Sequence, residues 1–265
     1  MRLSKKLICG CAALLGLMFS APSQAMGELE NVTLTVYVNP VGAPHAYLEN
    51  DITHPQGLDV DIIYELQRRL LFNLRDNRIF PLDRDSAFAR MQAGEADLVG
   101  GGISYTMARA KIFKFTPIFL SSGLTIVYSP RFHPEIKSSQ DIKGLNVGVE
   151  KGSTSEDYAA KLGAKTTYFT NNILALFQVA NGQLDAIIYD RPPMDDFVLA
   201  VPSVGLKTLD ETFGEEACQF AMAMPKDSEY ADIISDTIEA MMIDGTMTAL
   251  LKKWGVEGFV EAVGR

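Results

Sequence analysis

Cysteine and histidine are both scarce, three of each in 265 residues, and two of the cysteines, Cys9 and Cys11, fall close to the amino terminus. Cys218 is therefore left without a partner for an internal disulfide, whatever the redox compartment. His45, His54 and His133 have no metal-ligand spacing and no cysteine beside them, so neither a metal centre nor another cofactor is expected. Basic residues are the minority, 24 Lys and Arg against 33 Asp and Glu, for a net charge of −9. Such an acidic chain is a poor partner for nucleic acid or an anionic membrane surface. No apolar stretch after residue 25 reaches the ~18 residues that a membrane helix needs. Gly-x-Ser-x-Gly, a His–Cys pairing and a P-loop are all missing, which argues against a classical hydrolase and leaves no expected catalytic residue.

Residues 1–25 read as a signal peptide. Arg2, Lys5 and Lys6 form a basic start, Leu7 to Phe19 an apolar run too short to span a bilayer, and Ser23-Gln24-Ala25 a small-x-small cleavage site. The mature chain is expected to begin at Met26, and losing three basic residues makes it more acidic still. A lipoprotein reading through Cys11 ranks second, because almost no apolar run precedes that cysteine. The composition, 47% hydrophobic and 22% charged, suits an exported soluble protein with a full core.

Residues 94–109 carry the strongest local signal. Leu98 and Val99 read as a short buried strand, followed by Gly100, Gly101 and Gly102. Thr106 reads as a helix N-cap, which puts Arg109 at N3. The N3 position favours Glu or Gln, and the helix dipole opposes a cation there by roughly 0.3–1 kcal/mol. An arginine placed against that preference, beside glycines that bare the backbone, reads as an anion site with a planar fork for a carboxylate. A glycine-rich turn with a solvated arginine is the competing reading.

The rest of the mature chain alternates strands with helices. Helices are expected over about 59–71 (capped by Asp59 or Asp61), 85–93, 106–113, 154–162, 172–181 and 229–254, with a break at Gly245. Strands are expected at 32–38, 97–99, 124–128, 145–149, 168–169, 186–189, 206–209 and 219–224. This order argues for an α/β fold with largely parallel sheets. Ala87 to Val99 also matches Ala175 to Ile187: a helix, a stop at Gly94 or Gly182, then Asp97 or Asp185 and a buried strand, 88 residues apart. Two related lobes follow from that repeat. Ligands of open α/β sheets sit outside the carboxyl ends of strands. The repeat makes Gly102 and Asp190 equivalent, so one lobe offers Arg109 and bare backbone, the other a carboxylate. One fixed cation facing one fixed anion suits a zwitterion.

Gly57-Leu58-Asp59-Val60-Asp61-Ile62, Ser104-Tyr105-Thr106 with Arg109, Ile142 to Val149, Gly152-Ser153-Thr154, Asp244-Gly245-Thr246 and Lys252-Lys253-Trp254-Gly255 follow one another in a telling order and spacing. Together they resemble the family 3 solute-binding proteins, the periplasmic amino-acid receptors of ABC importers. The resemblance implies a type II periplasmic-binding-protein fold with two crossover strands. Lobe 1 would comprise 26–122 and 221–265, and lobe 2 would comprise 123–220. It further implies that Arg109 holds a ligand α-carboxylate, with help from the Ser104 hydroxyl, the Gly102 backbone, Thr154 and Ser153, and that Asp190 accepts the α-ammonium. Thr154 and Asp190 also suit plain helix caps.

The side-chain end of the ligand is left open. Asn39 stands where the family often has an acid, and Gly42 where it often has an aromatic. Arg84 falls near an apolar or aromatic contact, where it either meets an acidic or amide side chain or faces solvent. The implied role is capture of an amino acid or close analogue by a monomeric periplasmic protein that serves an ABC permease. Two other roles compete with it: an enzyme like the cyclohexadienyl dehydratases, with Glu150 as its conceivable general acid, and a sensory or accessory binding protein.

Overall fold

The computed structural model describes residues 27–256, so the expected signal peptide lies outside the described residues. The chain opens with β1 (Thr33–Leu34), β2 (Val36–Val38) and α1 (Leu58–Leu70), then β3 (Asn73–Leu74), β4 (Phe80–Pro81), α2 (Arg84–Gln92) and β5 (Leu98–Gly100). One-turn α3 (Met107–Ala110), β6 (Phe113–Phe115), β7 (Leu120–Ser121) and β8 (Leu124–Tyr128) follow. After them come β9 (Asn146–Glu150), α4 (Thr154–Lys161), β10 (Lys165–Phe169), α5 (Asn172–Ala180), β11 (Ala186–Asp190), α6 (Arg191–Ala200) and β12 (Lys207–Thr208). The described chain closes with β13 (Gln219–Phe220), β14 (Ala223–Pro225), α7 (Ala231–Ile243) and α8 (Thr246–Lys253).

Two five-stranded sheets result, in the orders β4-β2-β5-β14-β6 and β10-β9-β11-β8-β12. Both are mixed rather than largely parallel. In the first, β2 runs parallel to β4 and β5, whereas β14 is antiparallel to β5 and β6. In the second, β9 runs parallel to β10 and β11, whereas β8 is antiparallel to β11 and β12. The antiparallel members are the strands that enter or re-enter a sheet after the chain crosses over. The outgoing and returning crossings, β7 and β13, pair antiparallel with each other.

The internal repeat has a structural cause. Asp97 precedes β5, and its Oδ2 accepts the Thr35 N–H at 2.7 Å while its own N–H donates to the Thr35 carbonyl at 2.9 Å. Asp185 precedes β11 and treats Asn146 in the same way, at 2.7 and 3.0 Å. Each aspartate thus clamps the start of a buried strand to its parallel neighbour and fixes the register that decides which side chains face inward. The preceding glycines, Gly94 and Gly182, stop α2 and α5 with φ of +75° and +72°.

The other elements follow their periodicity. Helix α1 buries Leu58, Ile62, Ile63, Leu66 and Leu70, at about 1.5–3 kcal/mol for each side chain fully removed from water. All five residues of β8 are buried, as befits a strand covered on both faces. The expected α1 cap was misplaced. Gly57 holds that position; Asp59 is buried inside the first turn, and Asp61 binds Lys253 Nζ and Trp254 Nε1, each at 2.7 Å. The helix after Thr106 is also shorter than expected, and the 219–224 strand is split in two.

Candidate functional site

The carboxyl ends of the parallel strands of the two sheets face one small cavity. Asn39 and Val41 follow β2, Arg84 opens α2, and Gly102, Ser104 and Arg109 follow β5. Glu150 ends β9, Ser153, Thr154 and Ser155 start α4, and Tyr189 and Asp190 end β11. All six residues expected from the sequence therefore meet in one place, from both sides.

Arg109 is positioned as its local sequence dictates. Thr106 caps α3 by accepting the Arg109 N–H at 3.1 Å. The guanidinium donates to the Ser104 carbonyl at 2.8 Å and to the Gly152 carbonyl at 3.4 Å, and lies 5.7 Å from the Phe88 ring centre. Burial, and then the charge of Arg84, bring its pKa down to about 10. A cation that is unfavourable in this environment gains by meeting an anion there.

Asp190 lies opposite. It occupies the N-cap position of α6 but makes no side-chain cap bond; instead its Oδ1 accepts from Cys218 Sγ at 3.3 Å. Burial raises its pKa, opposed in part by His45, by the Cys218 hydrogen bond and, least, by the Arg109 charge. Burial also drives the Cys218 thiol well up, so the neutral S–H is the donor. In α4 the plain capping role falls to Ser153 instead of Thr154. Its hydroxyl accepts the Glu156 N–H at 3.3 Å and donates to the Glu150 carbonyl at 2.6 Å. Thr154 is the first residue of α4, where helix N–H groups favour an anion.

The glycine turn is less bare than its sequence suggests. Asp59 Oδ1 accepts the Gly101 N–H at 2.7 Å and that of Gly102 at 3.4 Å, and its Oδ2 is 3.1 Å from His45 Nδ1. Gly101 has φ +89°, and a Cβ there would stand 2.4 Å from the Asn39 carbonyl oxygen. The turn therefore needs glycine for close backbone approach as much as for any ligand.

Arg84 neither sits on a loop nor faces solvent. It is buried at the start of α2, donates to the Lys151 carbonyl at 2.8 Å and to Asp85 at 3.1 Å, and lies 3.3 Å from Glu150 Oε1. Glu150 Oε2 in turn accepts from the Tyr189 hydroxyl at 3.3 Å. Engaged on both oxygens, Glu150 is not placed as a general acid. Tyr189, Ser155 and Val41 were missed from the sequence. Only Tyr189 left a trace there, as the one polar-tipped side chain in the aliphatic run that ends at Asp190.

The family model for bacterial extracellular solute-binding proteins, family 3, matches residues 34–257. The chain belongs to that family. Its members are non-enzymatic binding proteins. Among curated relatives, the arginine-binding extracellular protein ArtP of Bacillus subtilis is 26% identical over 80% of this chain and 81% of its own. The L-cystine-binding protein TcyA of the same organism is 24% identical over 83% and 80%. Among solved structures, an ancestral arginine-binding protein bound to glutamine superimposes with a TM-score of 0.76 at 30% identity, covering 85% of this chain and 98% of that one. No helix among the described residues is long and apolar enough to cross a membrane.

Proposed function

We propose that this protein captures an L-amino acid or close analogue between two lobes, 26–122 with 221–265 and 123–220, and delivers it to an ABC permease. The observation that carries the reading is the meeting of Arg109 and Asp190 in one cavity from opposite sheets. Arg109 takes the α-carboxylate as a bidentate pair, with the Ser104 hydroxyl, the Gly102 backbone and the start of α4 at Thr154 completing the carboxylate end. The Ser153 hydroxyl and N–H are both committed within the turn and its cap, so Ser153 holds the start of α4 in place at that end. Asp190 takes the α-ammonium.

Neither lobe holds both charges, so the ligand favours the closed state by differential affinity. Relatives named for arginine, cystine and histidine binding support an amino acid as the solute. The family's extracellular character supports a periplasmic location, as the expected signal peptide requires.

A thermal-shift screen of the mature protein against the proteinogenic amino acids tests this. A ligand at 100 times its Kd adds about 2.7 kcal/mol and raises Tm visibly. A flat screen overturns the reading.

A further inference from the structure

Arg84 is the lining cation that the carboxylate and ammonium ends of an amino acid leave unused. We infer that Arg84 sets specificity, and that the ligand is an acidic amino acid of the aspartate or glutamate class whose side-chain carboxylate meets the Arg84 guanidinium. This rests on the α-amino-acid reading of the Arg109 and Asp190 ends.

The walls of the cavity carry the argument. Two guanidinium groups, Arg84 and Arg109, share one small space, close enough for the charge of Arg84 to be felt at Arg109. A basic ligand would bring a third cation between them. Asn39 offers it no compensating charge, and Val41 and Tyr189 give it little apolar surface for a long stem. The two acids present are both spoken for: Asp190 by the α-ammonium, and Glu150 by Arg84 and Tyr189.

Arg84 itself is held in place but not used up. Its Nε donates to Asp85 and one terminal nitrogen, Nη2, donates to the Lys151 carbonyl. The other terminal nitrogen, Nη1, meets Glu150 only as an ion pair at 3.3 Å. That nitrogen is the donor with capacity to spare. A ligand carboxylate would share or displace Glu150 there, exchanging one anion for another without stranding the arginine. An amide in the same position supplies the acceptor oxygen but no charge, and a guanidinium bonds more strongly to an ionised acceptor than to a neutral one.

Because Arg84 also reaches Lys151 and Glu150 across the cavity, its loss weakens closure around every ligand alike. The informative readout is therefore a ratio. Calorimetric titration of the mature protein with L-glutamate, L-glutamine, L-aspartate, L-asparagine and L-arginine is expected to show each acid bound at least tenfold tighter than its amide, and arginine weakest. Arg84→Gln is expected to collapse the acid-to-amide ratio to within about threefold. Glu150→Gln removes the competing anion and is expected to raise that ratio. A wild-type preference for the amide or for arginine, or a ratio that neither substitution moves, overturns the assignment of Arg84 while leaving amino-acid binding intact. Absence of binding by all five, together with a flat screen, overturns the underlying reading and this one with it.

Discussion

Asp59 Oδ1 accepts the Gly101 N–H at 2.7 Å, tying the first turn of α1 to the turn that follows β5. The carboxylate is fully buried and also meets the buried His45 ring. Asp59→Ala strands buried N–H groups and frees the turn that lines the cavity. It is expected to lower stability by about 2–4 kcal/mol, read from urea unfolding. Gly101→Ala should destabilise as well, since alanine needs both the +89° φ and room that the Asn39 carbonyl occupies.

Arg109→Ala is expected to weaken ligand binding by about 3–5 kcal/mol, because it leaves a carboxylate desolvated and unpaired. Calorimetry on the best ligand of the screen measures it. Arg109→Lys should rescue little, since a point charge does not replace a bidentate fork.

Affinity should depend on pH through Asp190. Burial holds its pKa above the ordinary carboxylate value, and an ammonium bound beside it favours the ionised form. Binding is therefore strongest above that raised pKa and weakens as pH falls through it, with proton release on binding in that window. Titrations in buffers of different ionisation enthalpy measure the proton count. Asp190→Asn should bind weakly at every pH and release no proton.

Arg69 gives a stability control away from the cavity. Its guanidinium donates to Glu65 at 2.7 Å, Asp244 at 2.8 Å and Thr246 at 2.8 Å, pinning α1 to the junction of α7 and α8. Arg69→Ala should cost about 2–4 kcal/mol in denaturant unfolding while leaving the Kd of the intact fraction unchanged. The Arg69 hydrogen bond is the main reason that the Asp244 pKa falls to about 2. The depressed value makes this contribution full above the ordinary aspartate range and lost as pH drops toward about 2. The variant should therefore lose less stability on acidification than the wild type.

What was legible in the sequence was local or repeated. The Thr106 cap fixes Arg109 three residues later, and the Asp97 and Asp185 clamps recur because each solves the same strand-register problem. What was not legible depends on partners distant along the chain. Asp59 stands where a helix cap is expected, and nothing nearby shows that its acceptor duty lies at Gly101. Arg84 looks like a surface residue until α2 places it against Glu150 and Lys151. The sheets are mixed because β8 and β14 arrive from crossings, a matter of route that strand composition does not record.

The pairing of β7 with β13 bears on how the protein could be watched at work. Two strands hydrogen-bonded side by side, at Leu120–Phe220 and Ser121–Gln219, behave as a book's spine: they permit bending about one line and resist sliding and twisting. Opening of the proposed lobes about that pairing is expected to follow a single coordinate. One pair of dyes, placed on the far edges of the two sheets, would report the whole motion as one distance, and each ligand would be ranked by where along that distance it stops.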